Sequence, residues 1–411
     1  MKVEIKCSNN LKGSINISGA KNSSLPILAI SLLTNKKMIL KNVPDIKDIK
    51  DMIELLKYLG VKIKRKEDVL ILKRKKVKSK LLLDEVSKIR ASYYLIPGLI
   101  NKNRTSSISY PGGCKFSKRP IDFHLYFLKR SGVKIKEENE YLTFKRKKLK
   151  NQTIVFPKAT VGGTINAILH FVMIKKTTKI INQPLEPEVI DVIKCLKKMG
   201  ANIYINNNDI IIKGGHKFKQ VTYTIMPDRI EFASYVLLSA CVNSEVTLNN
   251  ICENTYMPYL KYFDNLGIKY IYNKNSFTIF GNKKINNIDL IINHYPSFPT
   301  DLNPIVCAAL LNAKNNSCIE DLVYSERISH LEEMKKLCGK IDKEKNKIVI
   351  KPSKLIGNKV SARDLRCGFS LIICAICASG KTQIEDFDYV NRGYENIINK
   401  LKSINVQIKE Y

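Results

Sequence analysis

The run Pro111-Gly112-Gly113-Cys114-Lys115-Phe116-Ser117-Lys118-Arg119-Pro120 sets a thiol in a glycine-rich loop beside three cations. Nearby positive charge lowers a thiol pKa, so Cys114 reads as a nucleophile or a poised acid. An ordinary surface loop with an incidental cysteine is the plain alternative. Lys21, in Ser18-Gly19-Ala20-Lys21-Asn22, opens an apolar helix at its positive dipole end, which suits a cation only if an anion is held between the two. Arg90, Arg366 and Arg229 repeat the anomaly at equivalent places, the last flanked by Asp228 and Glu231. One such cation is noise; several in register point to an anionic substrate. Asp301, after Tyr295-Pro296-Ser297-Phe298-Pro299-Thr300, heads another apolar helix, either as its N-cap or as a general base. Asp122 and His124, just past Arg119, orient a substrate or simply cap and pack. Arg392 lies in a glycine-containing loop, Asn391 to Glu395, and is uninformative by itself.

The elements that position these residues recur. LKYLGVKI at Leu56, LKRSGVKI at Leu128, LKKMGANI at Leu196, FDNLGIKY at Phe263, KKLCGKI at Lys335 and LKSINVQI at Leu401 each end an amphipathic helix. The expected left-handed caps are Gly60, Gly132, Gly200, Gly267, Gly339 and Asn405, at intervals of 72, 68, 67, 72 and 66 residues. Asn is the usual substitute where Gly is absent. Interleaved with these are apolar helices over 22–33, 91–100, 163–174, 231–242, 302–311 and 367–378, with short β-rich segments between the two series. Helices apolar nearly all round are buried ones, and a unit of about 70 residues cannot bury much alone, so several must share a core. The expected fold is α/β: two inside-out α/β barrel domains, each of three repeats with buried parallel helices and outer sheets. Parallel helices converge their N-termini on one end, which favours anions.

Composition narrows the function. The 411 residues are 44% hydrophobic and 26% charged, an ordinary globular balance. The longest nearly uncharged apolar stretch, Gly368 to Gly380, has 13 residues, fewer than the roughly 18–20 that span a bilayer. The N-terminus lacks an apolar signal segment, so a soluble, cytoplasmic protein is expected. The net charge of +33 invites a polyanion partner, but lysine, asparagine and isoleucine are abundant together, as in an AT-rich coding sequence, and a solvated surface accounts for most of it. Eleven cysteines without a signal segment make no disulfide framework. Cys241, Cys307, Cys374 and Cys377 lie in aliphatic runs, where packing outweighs redox or metal chemistry. The five histidines show no ligand spacing, and neither metal nor cofactor is expected.

Together the motifs SGAKN, PGGC with Arg119-Pro120 and Asp122, TVGGT, EPEVID, MPDRIE, PSFPTD, DLR and RGYE resemble the UDP-N-acetylglucosamine enolpyruvyl transferases nearly end to end. PGGC and SGAKN set them apart from the shikimate-phosphate enzymes. The resemblance implies domains of 21–226, with a Cys114 lid loop, and of 1–20 plus 227–411, with an active site in the cleft between them. It implies transfer of the enolpyruvyl group of phosphoenolpyruvate to the sugar 3-hydroxyl with release of phosphate. By motif position Cys114 is the proton donor and Asp301 the deprotonating carboxylate. Lys21, Asn22, Arg119, Arg366 and Arg392 hold phosphoenolpyruvate. Arg90, Arg119, Pro120, Ile121, Asp122, Phe123, Lys158, Ala159, Thr160, Val161, Asp301 and Val323 surround the UDP-sugar, and Asp364 and Arg327 stand near the reacting centre. The partners implied are these two small molecules, with no membrane and no nucleic acid.

The chain departs from that pattern at Leu185 for Arg, Asn391 for Asp and Gly163 for Ala, and Phe116 and Lys118 give the lid an unusual sequence. Two other readings remain. One is a basic RNA-binding or RNA 3′-phosphate cyclase-like protein of the same repeat superfamily; no aromatic–basic interleaving supports a stacking platform for it. The other is a non-catalytic paralogue that binds the sugar nucleotide without turning it over.

Overall fold

Helices that are apolar on every side need a shell around them, and this chain builds the shell from sheet. The computed structural model describes residues 1–112, 121–148, 150 and 153–411. Six four-stranded sheets share one topology. In one of them Thr153–Val155 runs parallel to Thr177–Ile181, which pairs antiparallel with Asp209–Lys213, and that strand with Asn202–Asn206. The buried helix Val161–Phe171 makes the crossover that parallel neighbours require. The amphipathic helix Pro187–Lys198 leads into the hairpin.

Three strands complete sheets remote from them in sequence. Asn10–Asn16 precedes the first buried helix, Lys21–Ala29, yet pairs with Asn243–Asn249 of the fourth repeat. Val221–Thr224 precedes the helix Arg229–Ala240 yet pairs with Met38–Lys41 of the first. Val3–Lys6 lies between Lys381–Glu385 and Ile408–Glu410, so the chain's start closes its last repeat. Outside the Cys114 loop, the chain divides into one unit of Met1–Ser18 with Pro227–Tyr411 and another of Gly19–Met226, each with its own apolar core. Within the first, Arg366 and Asp301 join the starts of two buried helices, while Asn312, just past the end of one, and Cys377, the last residue of the other, reach the Cys241 carbonyl at the end of a third. Starts meet starts and ends meet ends, so these helices are parallel. No helix among the described residues is long and apolar enough to cross a membrane.

The caps agree with the sequence at five positions: Gly60, Gly132, Gly200, Gly267 and Asn405 have φ of 101°, 93°, 99°, 67° and 66°. The fifth repeat differs. Its left-handed residue is Cys338 (φ 64°), not Gly339. The Cys338 amide donates to Lys335 and the Gly339 amide to Met334, the paired bonds of a helix closed one residue earlier. Gly339 has a different use, since a Cβ there would lie 2.8 Å from the Met334 carbonyl oxygen. Cys338 is exposed and pays the left-handed penalty of about 1–2 kcal/mol, partly offset by the freer unfolded chain a glycine would bring. Cys338→Gly is therefore expected to raise unfolding stability by about 0.5–1 kcal/mol, readable in urea titrations; an unchanged or lower midpoint counts against it.

A further periodic device escaped the sequence reading. Asn42, Asn182 and Asn250 are left-handed, and each side chain donates to the carbonyl at the end of the parallel edge strand: Ile225 (2.9 Å), Phe156 (2.8 Å) and Ile17 (2.6 Å).

Three histidines are buried without charge. Burial lowers His124 and His170 to about 3, helped by Arg90 and Arg146 respectively, and His330 to about 4. In the unfolded chain they protonate near 6.5. Between those values the unfolded state binds more protons, so stability falls as pH drops below about 6.5, by about 1.4 kcal/mol per histidine per pH unit. Two of the three belong to Gly19–Met226, and that unit is expected to lose hydrogen-exchange protection first between pH 6.5 and 4.5. Equal loss in both units would refute this.

Candidate active site

Two arginines of the Pro227–Tyr411 segment converge on one carboxylate, that of Asp301. Asp301 sits in the turn Thr300–Leu302 ahead of the helix Asn303–Leu310, and its side chain makes no cap bond. Arg327 Nη1 donates to its Oδ1 at 2.9 Å and Arg366 Nη2 to its Oδ2 at 2.9 Å. The arginine side chains are 3% and 8% exposed, against 28% for Asp301. Burial alone would raise the Asp301 carboxyl, but Arg366 and Arg327 hold it well below the usual carboxylate range. Arg366 Nη1 also donates to Tyr394 Oη at 3.1 Å, and that hydroxyl meets Ser234 Oγ at 2.9 Å.

The misplaced cations have a simple local explanation. Asp228 accepts the amides of Ile230 and Glu231, and Asp364 those of Arg366 (2.8 Å) and Cys367 (3.1 Å). An aspartate caps each helix, leaving Arg229 and Arg366 to point elsewhere. Asp364 spends its other oxygen on Ser329 Oγ (2.6 Å). Arg229 Nη1 donates to Tyr259 Oη at 3.1 Å. Lys21 finds its anion within the protein: Nζ lies 3.0 Å from Asp48 Oδ2, with side chains 14% and 8% exposed. Neighbouring Asn22 is exposed. Arg90 stands 5.8 Å over the Tyr93 ring, which stacks 4.1 Å from His124. His124 in turn meets Asn166 Nδ2 at 2.9 Å.

Ile121, Asp122 and Phe123 line a cavity of ≈ 690 Å³, whose wall among the described residues includes Tyr110, Tyr126 and Pro157. Lys158 and Ala159 follow in a loop, exposed and half-buried. Thr160 caps the helix that Val161 begins, accepting the Gly163 amide at 3.2 Å. The Gly163 departure fits this cap, since a Cβ there would lie 2.7 Å from Thr160 Cγ2. Arg392 ends the turn Phe387–Arg392, half-buried. Asn391 reaches Met1 Sδ at 3.8 Å, and Leu185 packs on the core. Cys114, Arg119 and Pro120 lie outside the described residues.

Two groupings were not anticipated. Buried Asp321 accepts from Thr300 Oγ1 (2.7 Å), Asn303 Nδ2 (2.9 Å) and the amides of Val323 and Tyr324 (both 2.9 Å). It thereby ties the Val323 loop to the turn carrying Asp301. Lys400 donates to Ser18 Oγ (2.6 Å) and Glu231 Oε1 (2.7 Å), the Ser18 amide to Glu231 Oε2 (2.8 Å), and Ser18 Oγ to Glu395 (2.7 Å). Burial raises Glu231, and Lys400 draws it back. The sequence signal was Ser18 and Glu395 within SGAKN and RGYE; Lys400 offered none.

Comparison with known proteins decides the family. The chain is 36% identical over 412 residues to the UDP-N-acetylglucosamine 1-carboxyvinyltransferase of Pelagibacter ubique, covering 99% of each. It is 33% identical to UDP-N-acetylglucosamine 1-carboxyvinyltransferase 2 of Bacillus cereus, covering 99% of this chain and 96% of that one. The chain belongs to the UDP-N-acetylglucosamine 1-carboxyvinyltransferase family. The broader profile of EPSP synthase (3-phosphoshikimate 1-carboxyvinyltransferase) matches residues 5–401. Among solved structures, the enolpyruvyl transferase NikO from Streptomyces tendae superposes with TM-score 0.91 at 20% identity, over 99% of this chain and 98% of that one. EPSP synthase from Acinetobacter baumannii gives 0.79 at 16%, over all of both chains. These share the fold of two inside-out α/β barrels expected from the six repeats. Family membership of this kind favours the enolpyruvyl transferase reading over the RNA-binding one.

Proposed function

We infer that the protein transfers the enolpyruvyl group of phosphoenolpyruvate to the 3-hydroxyl of UDP-N-acetylglucosamine, releasing phosphate, as the first committed and cytoplasmic step of peptidoglycan precursor synthesis. End-to-end identity to relatives of that name carries the reading, and every residue given a catalytic role by the motifs (Cys114, Asp301, Lys21, Arg392) is retained. The sugar oxygen adds to C2 while C3 takes a proton, and the tetrahedral phospho-ketal then expels phosphate. No cofactor is needed, only an acid, a base and fixed cations.

In this reading Cys114 protonates C3. Lys21, Asn22, Arg119, Arg366 and Arg392 hold phosphoenolpyruvate, and Arg90, residues 119–123, residues 158–161 and Val323 hold the UDP-sugar. Asp301 takes the hydroxyl proton. Its two arginine bonds make it a weak base before substrate arrives. An anion that draws Arg366 away weakens that hold and raises its basicity when it is needed. The deciding measurement is phosphate release from phosphoenolpyruvate with and without UDP-N-acetylglucosamine. Release is expected only with both present; release without the sugar nucleotide, or none with it, overturns the assignment.

A further inference from the structure

Within Gly19–Met226 the far ends of the buried helices meet a second group of cations. Arg74 Nε donates to the Thr34 carbonyl (2.8 Å), past the end of the first buried helix, and Arg146 Nη1 to the Asn101 carbonyl (3.0 Å) in the last turn of the second. These arginines end the strands Val69–Arg74 and Tyr141–Arg146, which hold matching places in their sheets. A cation at a helix C-terminus is favourable in itself, so one edge of each guanidinium has a structural use.

Arg74 Nη1 also donates to the Lys75 carbonyl (2.8 Å), whereas the Arg146 side chain makes no second hydrogen bond among the described residues. Lys102 is half-buried, and burial together with Arg74 and Arg146 pushes its ammonium pKa down. A cavity of ≈ 400 Å³ opens there, lined by Asn101, Arg146, Lys147, Met173, Ile174 and Lys175. Among the described residues none of Arg74, Lys102, Arg146, Lys147 or Lys175 is paired with a carboxylate. Lysine-rich drift does not explain the placement, because the other unit ties the same helix ends with neutral groups. There Asn312 Nδ2 donates to the Cys241 carbonyl at 2.7 Å, and Cys377 Sγ lies 3.8 Å from it.

We propose that this cavity binds a small anion bearing two or more phosphate groups, held by Arg146, Lys147 and Lys175, with Lys102 adding positive charge nearby. It lies one buried-helix length, roughly 15 Å, from the end of this unit that carries Lys21 and Arg90. Arg146 offers its remaining edge to one phosphate as a fork, and the lysines serve as point charges for the others. Met173 and Ile174 give an apolar wall for an organic moiety. The depression has room for a nucleotide-sized molecule.

The test titrates inorganic triphosphate calorimetrically into the full chain saturated with UDP-N-acetylglucosamine and treated with fosfomycin, so that the residues for both substrates are already engaged. Lys147→Met with Lys175→Met changes only exposed side chains and leaves the fold intact. It is expected to weaken binding about tenfold or more, as is Arg146→Met, because each removes charge-assisted contacts. Lys62→Met with Lys64→Met, also exposed, is the control and should change affinity less than about twofold. Triphosphate should also protect Lys147 and Lys175 from acetylation. Unchanged affinity in the paired variant, an equal loss in the control, or no protection at these lysines overturns the proposal.

Discussion

Cys114→Ser is expected to lower kcat by about 10²–10⁴-fold, the range for losing a positioned general acid. Thermal unfolding should be unchanged, since the substitution exchanges one small side chain for another. A serine hydroxyl is a far weaker acid than a thiol flanked by Lys115, Lys118 and Arg119, so the loss should fall on proton delivery to C3 and appear in kcat more than in KM. Fosfomycin, an epoxide phosphonate that mimics phosphoenolpyruvate, gives an independent readout through alkylation. Of the described thiols, Cys195, Cys241, Cys307, Cys367 and Cys374 are buried, and burial raises each of them, with Cys377 the larger influence on Cys241. They are poor nucleophiles, and peptide mapping should place the label on Cys114. Wild-type turnover in the serine variant, or label at another cysteine such as exposed Cys338, removes Cys114 from the mechanism.

Much of the architecture was legible because it repeats. A cap of Gly or Asn, a buried helix and a β-rich stretch recur every 70 residues or so, and local physics dictates each. Cys338 shows the limit of such matching: glycine marks a left-handed cap only when steric crowding does not require it for another reason, and at Gly339 it does. The exchanged edge strands were hidden because strand pairing depends on partners far along the chain; Asn10–Asn16 pairs with Asn243–Asn249. The same distance hid the environment of Asp301. Its sequence context offered a cap or a base, while the arginines that decide its acidity lie 26 and 65 residues away. Lys400 belongs to the same class, joining Ser18 and Glu231 across most of the chain. Local patterns give elements and candidate residues; the pairings that set their charge are tertiary.

Those pairings make Asp301→Asn the most informative substitution in the Pro227–Tyr411 segment. Asparagine keeps the shape but takes from Arg366 and Arg327, 8% and 3% exposed, the negative charge both of them bind. Removing one partner of a buried pair costs about 3–5 kcal/mol, and the partial exposure of Asp301 brings the expected loss to about 2–4 kcal/mol. Turnover should fall by about 10²–10⁴-fold as well, through loss of the base. The pH dependence separates charge from packing. The folded carboxyl is held well below its usual range by the two arginines, whereas in the unfolded chain it titrates near 3.9. As pH falls through about 4 the unfolded state takes up the proton first, so the carboxylate's contribution is full above that pH and fades below it. The difference in unfolding free energy between wild type and variant should be flat from pH 5 to 8 and shrink below about 4, with the histidine contributions cancelling because both proteins share them. Phosphoenolpyruvate should also raise the melting temperature of the variant more than that of wild type, since its anionic groups replace the missing carboxylate against Arg366. A difference that persists undiminished at pH 3, together with equal stabilisation of both proteins by phosphoenolpyruvate, would show that Asp301 serves packing alone and that Arg366 does not meet the substrate.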